Sequence, residues 1–326
     1  MTPTAPRAAA ARDALVDQTF ALGWALTRHS PEPVAERLME SAADRVWKRR
    51  GPRLQQLEAN LQRADPTLDT LALRDLSQRA MHSYFRYWHE ALRLPSWTPQ
   101  RIVDTVVTTN EAPLRNGFDR GHGAIIALPH MGNWDLAGAW ASLTGMPVST
   151  VAERLEPAAL YERFVRYREG LGMEVIALTG AGNPLSKLRA SVRVGRLICL
   201  LADRDLTGKG VEVSLLGERA QLAGGAATLA RLTGAPLVAL TLSYRGPLLR
   251  LDFSDLIEPV RGRGGVKAMT QQMADWFSTG IRESPVDWHM LQPVFSADLQ
   301  GQAPAQGSAA EVADGFRASS PSRSTA

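Results

Sequence analysis

The sequence predicts an α/β fold, a central and mostly parallel sheet flanked by helices, with a helical region ahead of it at the N-terminus. Three observations carry the prediction. In the first hundred residues the apolar side chains recur at helical spacing. After residue 120 short apolar runs alternate with helical segments, the pattern of strands joined by crossover helices. Those runs are apolar nearly throughout, as strands covered on both faces are. With 44% apolar residues in 326, the chain has ample material for a core.

In chain order, residues 13–28 place Leu15, Val16, Thr19, Phe20, Gly23 and Trp24 on one helical face. That face either packs on the domain or dips into a bilayer interface. The segment Pro33–Arg50 follows and, with Arg53, carries the basic cluster Arg45, Lys48, Arg49, Arg50 and Arg53 with no acid between. Such a cluster attracts anionic lipid headgroups or phosphate, or is a solvated helix end. Leu73, Leu76, Ala80, Tyr84, Tyr87, Trp88 and Leu92 then mark an amphipathic core helix.

The alternation begins with the run Ala124–Leu128, followed by Trp134–Leu143, Val148–Val151, Ala158–Leu171, Met173–Leu178, Leu185–Val194, Leu197–Leu201, Ala226–Leu232 and Leu237–Leu242. No linker or internal repeat divides it. The expected organisation is a helical, membrane-associating region over 1–100 packed on an α/β core over 101–297. The tail 298–326, poor in large apolar groups, is expected to be disordered.

Composition narrows the function. The single cysteine, Cys199, rules out an internal disulfide framework and a zinc site of several thiolates. A net charge of +4 gives no general basis for nucleic-acid binding. No apolar stretch approaches the length of a spanning helix, because Phe20–Leu26 is flanked by Asp13, Asp17 and Arg28. The N-terminus does not read as a secretory signal, so the expected location is the cytosol or the cytosolic membrane face. There is no Gly-x-Ser-x-Gly elbow, Walker loop or His-Glu-x-x-His, and no complete Gly-x-Gly-x-x-Gly after a strand, which argues against serine hydrolase, nucleotide hydrolase and zinc peptidase chemistry.

The chemistry concentrates at HMGNWD, residues 130–135, directly after the run Ala124–Leu128. Ligands of α/β sheets gather at the carboxyl ends of strands, where His130 would stand. A neutral imidazole there can take a proton from a hydroxyl if another group fixes its tautomer. Asp135 is one candidate. Five residues on a helix leave two side chains about 140° apart, so the two meet only if His130 lies in the loop before the helix. The segment Ala202-Asp203-Arg204-Asp205, after Leu197–Leu201, offers the other carboxylates, and Arg204 either pairs structurally or binds a phosphate. His289, in DWHM, is a weaker candidate base.

The run LPHMGNWDLAG resembles the His-x-x-x-x-Asp box of bacterial lysophospholipid-type acyltransferases, and HxGNWD that of the branch holding the late lipid A and phosphatidylinositol mannoside acyltransferases. Further blocks extend the resemblance: VAERLEP (151–157), YERFVRYRE (161–169), LLADRDL (200–206), GVEVSLLGE (210–218) and PVDWHMLQPVF (285–295). They look closest to the mannoside enzymes.

The resemblance implies transfer of a fatty acyl group from acyl-CoA, as co-substrate and without a resident cofactor or metal, to a mannose hydroxyl of phosphatidylinositol mannoside at the anionic cytosolic face of the plasma membrane. His130 maps onto the family's base. Asp203 maps onto its partner carboxylate, a glutamate in the family. Glu153 and Arg168 match further polar residues of the site, Arg204 and Asp205 are carried as substrate-binding candidates, and Asp135 is implied to support the motif. Other glycolipid or lysophospholipid acceptors, and a non-catalytic lipid-binding module with a structural histidine, are the alternatives.

Overall fold

Strand β2 (Ala124–Leu128), buried at all five positions, runs near the middle of the sheet that organises the molecule. The structure, a computed structural model, describes residues 17, 18, 20–121, 123–153, 158–178, 183–205 and 208–299. Leu15, Val16 and Thr19 of the N-terminal face, and the expected tail from residue 300 onward, lie outside the described residues.

In chain order the strands are β1 (Val106–Thr109), β2, β3 (Val148–Ala152), β4 (Glu174–Ala177), β5 (Leu197–Leu201), β6 (Val211–Leu215), β7 (Glu218–Leu222), β8 (Leu237–Arg245) and β9 (Leu248–Phe253). Seven form one sheet in the order β1-β9-β8-β2-β5-β3-β4, while β6 and β7 pair as a separate antiparallel hairpin. The five strands β8, β2, β5, β3 and β4 are parallel. β9 turns back against β8, and β1 runs parallel to β9.

Helices Trp134–Leu143, Ala158–Gly170 and Pro184–Arg193 carry the chain from β2 to β3, β3 to β4 and β4 to β5. Asn133 and Asn183 start two of them by accepting the amides of Leu136 and Leu185. β5 then slots between β2 and β3, with Leu128 level with Leu201 and Thr150 level with Cys199. The carboxyl ends of β2, β5 and β3 therefore lie side by side.

Four strands, β1, β6, β7 and β9, lie outside the runs that the sequence marks, and so does the long helix Gly265–Glu283. β1 is exposed at three of its four positions, and β9 buries Leu249, Leu251 and Phe253 while Arg250 and Asp252 pair on its other face. Neither looks like a buried run. The helix Gly265–Glu283 buries Met269, Met273, Phe277 and Ile281 at four-residue spacing against the sheet.

The N-terminal helices Glu32–Arg49, Pro52–Ala64 and Thr70–Arg93 build a second apolar cluster around Phe20, Leu54, Leu57, Leu61, Met81 and Phe85. Each such buried Leu or Phe contributes roughly 1.5–3 kcal/mol of apolar burial. Polar ties fasten this layer to the C-terminal segment: Asn60 Nδ2 donates to the carbonyls of Met290 (2.8 Å) and Gln292 (3.0 Å), and Arg63 pairs with Asp298 at 2.7 Å. Residues 20–29 are helical. Their aromatic face packs inward, Phe20 on Phe164 (5.5 Å between rings) and Trp24 on Tyr167 (5.2 Å), so of the two readings of that face these residues take the packed one. Leu22 and Leu26 are exposed instead. Among the described residues no helix is long and apolar enough to cross a membrane.

Candidate active site

Pro129 ends β2 and the chain turns sharply through His130, Met131 and Gly132 before the helix begins at Trp134. Gly132 has φ +52, and a β-carbon there would press on Leu242 and Leu249 at 3.0 Å, so the turn requires glycine. Asn133 is fully buried and works twice. Its Oδ1 accepts the Leu136 amide (2.9 Å), and its Nδ2 donates to Glu90 (2.9 Å), a buried carboxylate also held by Arg86 (2.8 Å) and the Tyr244 hydroxyl (2.9 Å). Helix Thr70–Arg93 thereby clamps the start of the helix behind His130.

The register of β2 and β5 continues past both strands, with the Ala202 amide donating to the Leu128 carbonyl at 2.9 Å. This sets Asp203 against His130. Nδ1 of the ring lies 2.6 Å from Asp203 Oδ1, and the His130 amide donates to Oδ2 at 2.9 Å. The indole of Trp288 donates to the same Oδ2 at 3.0 Å. Asp203 is fully buried. Burial alone would raise its carboxyl, but the charge of His130 and these hydrogen bonds outweigh burial and hold it below the ordinary range. A carboxylate on Nδ1 keeps the proton there, which leaves Nε2 as a lone pair on a ring whose side chain is 22% exposed.

Asp135 is occupied elsewhere. It is 2% exposed and pairs with Arg168 (Nε to Oδ1, 2.7 Å), with the Tyr87 hydroxyl donating to Oδ2 at 3.0 Å. Burial opposes the charge on Arg168, but Asp135 more than compensates and raises the guanidinium further. Tyr87 stacks on Trp134 at 4.1 Å, and Trp134 meets the His130 ring edge to face at 5.5 Å.

The other sequence candidates sit around the same strand ends. Glu153, half-buried, is the first residue beyond β3. Arg204 follows Asp203 and is half-buried, with an Nε that is buried and without a hydrogen-bond partner among the described residues. Asp205 accepts the Gly210 amide at 2.7 Å and so ties its own loop. An apolar cavity of about 50 Å³ lies beneath, between helix Trp134–Leu143 and the sheet. Ile126, Leu128, Ala137, Gly138, Ala141 and Met173 line it, and Asp135 and Arg168 also border it. Cys199 borders it too, with a thiol that burial pushes up to about 12.

Sequence reasoning passed over Trp288, Glu90, Tyr87 and Tyr244 as parts of this arrangement. The segment DWHM offers a histidine as candidate base and belongs to a block that carries the resemblance, but nothing in the spacing ties its indole to a carboxylate 85 residues earlier. His289 itself is buried, its Nε2 lies 3.0 Å from Ser83 Oγ, and burial together with the charge of His130 lowers its pKa to about 3. Its contribution to the site is through the backbone, where its amide donates to the His130 carbonyl at 2.8 Å.

Residues 5–297 match the family described as bacterial lipid A biosynthesis acyltransferase. The chain is 39% identical over 289 residues to the phosphatidylinositol mannoside acyltransferase of Mycolicibacterium smegmatis, covering 88% of this chain and 94% of that protein. It is 37% identical over 308 residues to the enzyme of the same name from Mycobacterium tuberculosis, covering 93% and 96%.

Proposed function

The chain belongs to the bacterial lipid A biosynthesis acyltransferase family, and from that premise we propose that it moves a long-chain fatty acyl group from acyl-CoA to a mannose hydroxyl of phosphatidylinositol mannoside. The reaction takes place at the cytosolic face of the membrane, with His130 as general base. The observation that carries the reading is the 2.6 Å contact of His130 Nδ1 with buried Asp203, which leaves Nε2 turned out as proton acceptor.

Nε2 takes the proton of the sugar hydroxyl as its oxygen attacks the thioester carbonyl. Asp203 balances the charge of the imidazolium that forms. The tetrahedral intermediate expels CoA thiolate, and the acyl group leaves on the sugar oxygen with no acyl-enzyme between. The amides of Trp134 and Asp135 open the helix that follows His130 and would receive the oxyanion, the Leu136 amide being taken by Asn133.

The acyl chain enters the apolar cavity under that helix. At roughly 0.8 kcal/mol per buried methylene such a site can supply much of the donor affinity. Its present volume of about 50 Å³ is too small for a long chain, so loading requires the lining to repack. Arg204, whose Nε has no hydrogen-bond partner among the described residues, and Glu153 at the neighbouring strand end would meet the phosphate and hydroxyl groups of the substrates. Exposed Leu22 and Leu26, and exposed Val34 and Leu38, each fall four residues apart on one helix face and would rest on the bilayer, with the basic residues Arg45, Lys48, Arg49, Arg50 and Arg53 further along the chain drawn to anionic headgroups.

Incubation with palmitoyl-CoA and a membrane glycolipid extract, read by mass spectrometry, tests this. A mass gain of one palmitoyl group on phosphatidylinositol mannoside is expected. Gain on a lysophospholipid or another glycolipid alone would overturn the acceptor assignment.

A further inference from the structure

Among the described residues the buried carboxylate of Asp203 has three hydrogen-bond donors, of which two come from His130 and the third is the indole of Trp288. Trp288 has no exposed surface and cannot touch a substrate. It reaches the carboxylate because the C-terminal segment lies across the loop that bears His130. Met131 and Trp288 form an antiparallel bridge, the Gly132 amide donates to the Asp287 carbonyl (2.9 Å), and the His289 amide donates to the His130 carbonyl (2.8 Å). Two backbone bonds thus bracket the residue whose side chain ends on Oδ2. A buried indole N–H needs an acceptor, and here it is spent on a charged oxygen.

The geometry has two consequences. With Oδ2 held by the His130 amide and the indole, the carboxylate cannot rotate, and Oδ1 stays aimed at Nδ1. The indole also draws electron density from the carboxylate and limits how strongly Asp203 holds a proton on the ring. On the reading of His130 as the base, we infer that Trp288 is a positioning residue, which fixes the rotation of Asp203 through its indole N–H and thereby sets the strength of the base.

The titratable groups around the pair are His289, kept neutral by burial, the Asp135–Arg168 pair, and Arg204 and Glu153 at the adjacent strand ends. All of these side chains are retained when Trp288 is replaced.

Two replacements separate the hydrogen bond from the packing. Trp288→Phe keeps an aromatic ring. Substitution of Trp288 by 3-benzothienylalanine keeps the outline of indole and puts sulfur in place of N–H. In the analogue protein, kcat with palmitoyl-CoA is expected to fall about tenfold or more while KM for the donor stays essentially unchanged. The His130 titration, followed by NMR on histidine-labelled protein, should move up by about half to one unit, and the acidic limb of kcat/KM should follow it. A wild-type titration and kcat in the analogue protein would overturn the inference.

The NMR titration needs no turnover, so it is independent of whether His130 is the base; an active His130→Ala enzyme would refute that assignment separately. In the unmodified protein, labelled on tryptophan, the Trp288 indole resonance should shift in step with the His130 titration. A resonance indifferent to that titration would overturn the inference even if neither replacement folds.

Discussion

Asp135 and Arg168 form a buried ion pair, 2.7 Å from Oδ1 to Nε, that ties the first turn of the helix behind His130 to helix Ala158–Gly170. The aspartate of the HMGNWD box therefore supports the framework of the site, while the imidazole is served by Asp203. Removing one partner leaves the other charge buried and alone. Arg168→Gln or Asp135→Asn should each cost about 3 kcal/mol in chemical denaturation. The pair Asp135→Asn with Arg168→Met should cost less than the sum of its singles. Additive losses would show that the two residues act independently.

His130→Ala should lower acyl transfer by several orders of magnitude with a melting temperature close to that of the parent, because the ring is partly exposed and its loop is held by backbone bonds. Asp203→Asn should be nearly as inactive, since an amide presents either the wrong group to Nδ1 or a donor to the His130 amide. Steady-state rates beside thermal denaturation decide both.

Gly132→Ala should destabilise by about 1–3 kcal/mol and reduce activity more than its size suggests. The new β-carbon meets Leu242 and Leu249 at 3.0 Å in a left-handed turn, and the loop it displaces carries His130. Equal activity and stability in the alanine variant would mean that the turn relaxes freely.

Ala141 is 4% exposed and lines the cavity beneath helix Trp134–Leu143. If the acyl chain occupies that space, Ala141→Leu should shift the preference among acyl-CoA donors toward shorter chains, seen as a changed ratio of kcat/KM across a donor series. An unaltered ratio would place the chain elsewhere.

The buried His289 is neutral in the fold, with a pKa of about 3, and in the unfolded chain it regains its ordinary value near 6.5. Between those values the unfolded state binds more protons, so stability rises with pH there and is lost as pH falls from about 6.5 toward 3. From pH 7 to pH 5 this amounts to about 2 kcal/mol. Asp287 beside it, raised by burial, acts in the opposite sense. The comparison is therefore made against His289→Gln, which keeps Asp287 and should show a flatter acid limb in thermal denaturation. Parallel limbs would refute the assignment.

Much of this protein was legible along the chain. Buried strands such as Ala124–Leu128 and Leu197–Leu201, and the amphipathic helices, follow from side-chain periodicity, which is a local property of the backbone. The placement of His130 in the loop after a strand is local too. β1 and β9 were not legible, because a half-exposed strand near the rim of a sheet lacks the continuous apolar run that marks a central one. Nor was the inward turn of Phe20 and Trp24, which depends on Phe164 and Tyr167 arriving from a distant helix. Side-chain spacing leaves open the choice between Asp135, five residues from His130, and Asp203, seventy-three away; the family resemblance points to Asp203, and the tertiary structure makes the contact. It depends on β5 pairing with β2 in one register, and the bridge that brings Trp288 beneath the pair depends on the chain's far end crossing the same loop. Both are set by how distant surfaces bury one another, and no local spacing records that.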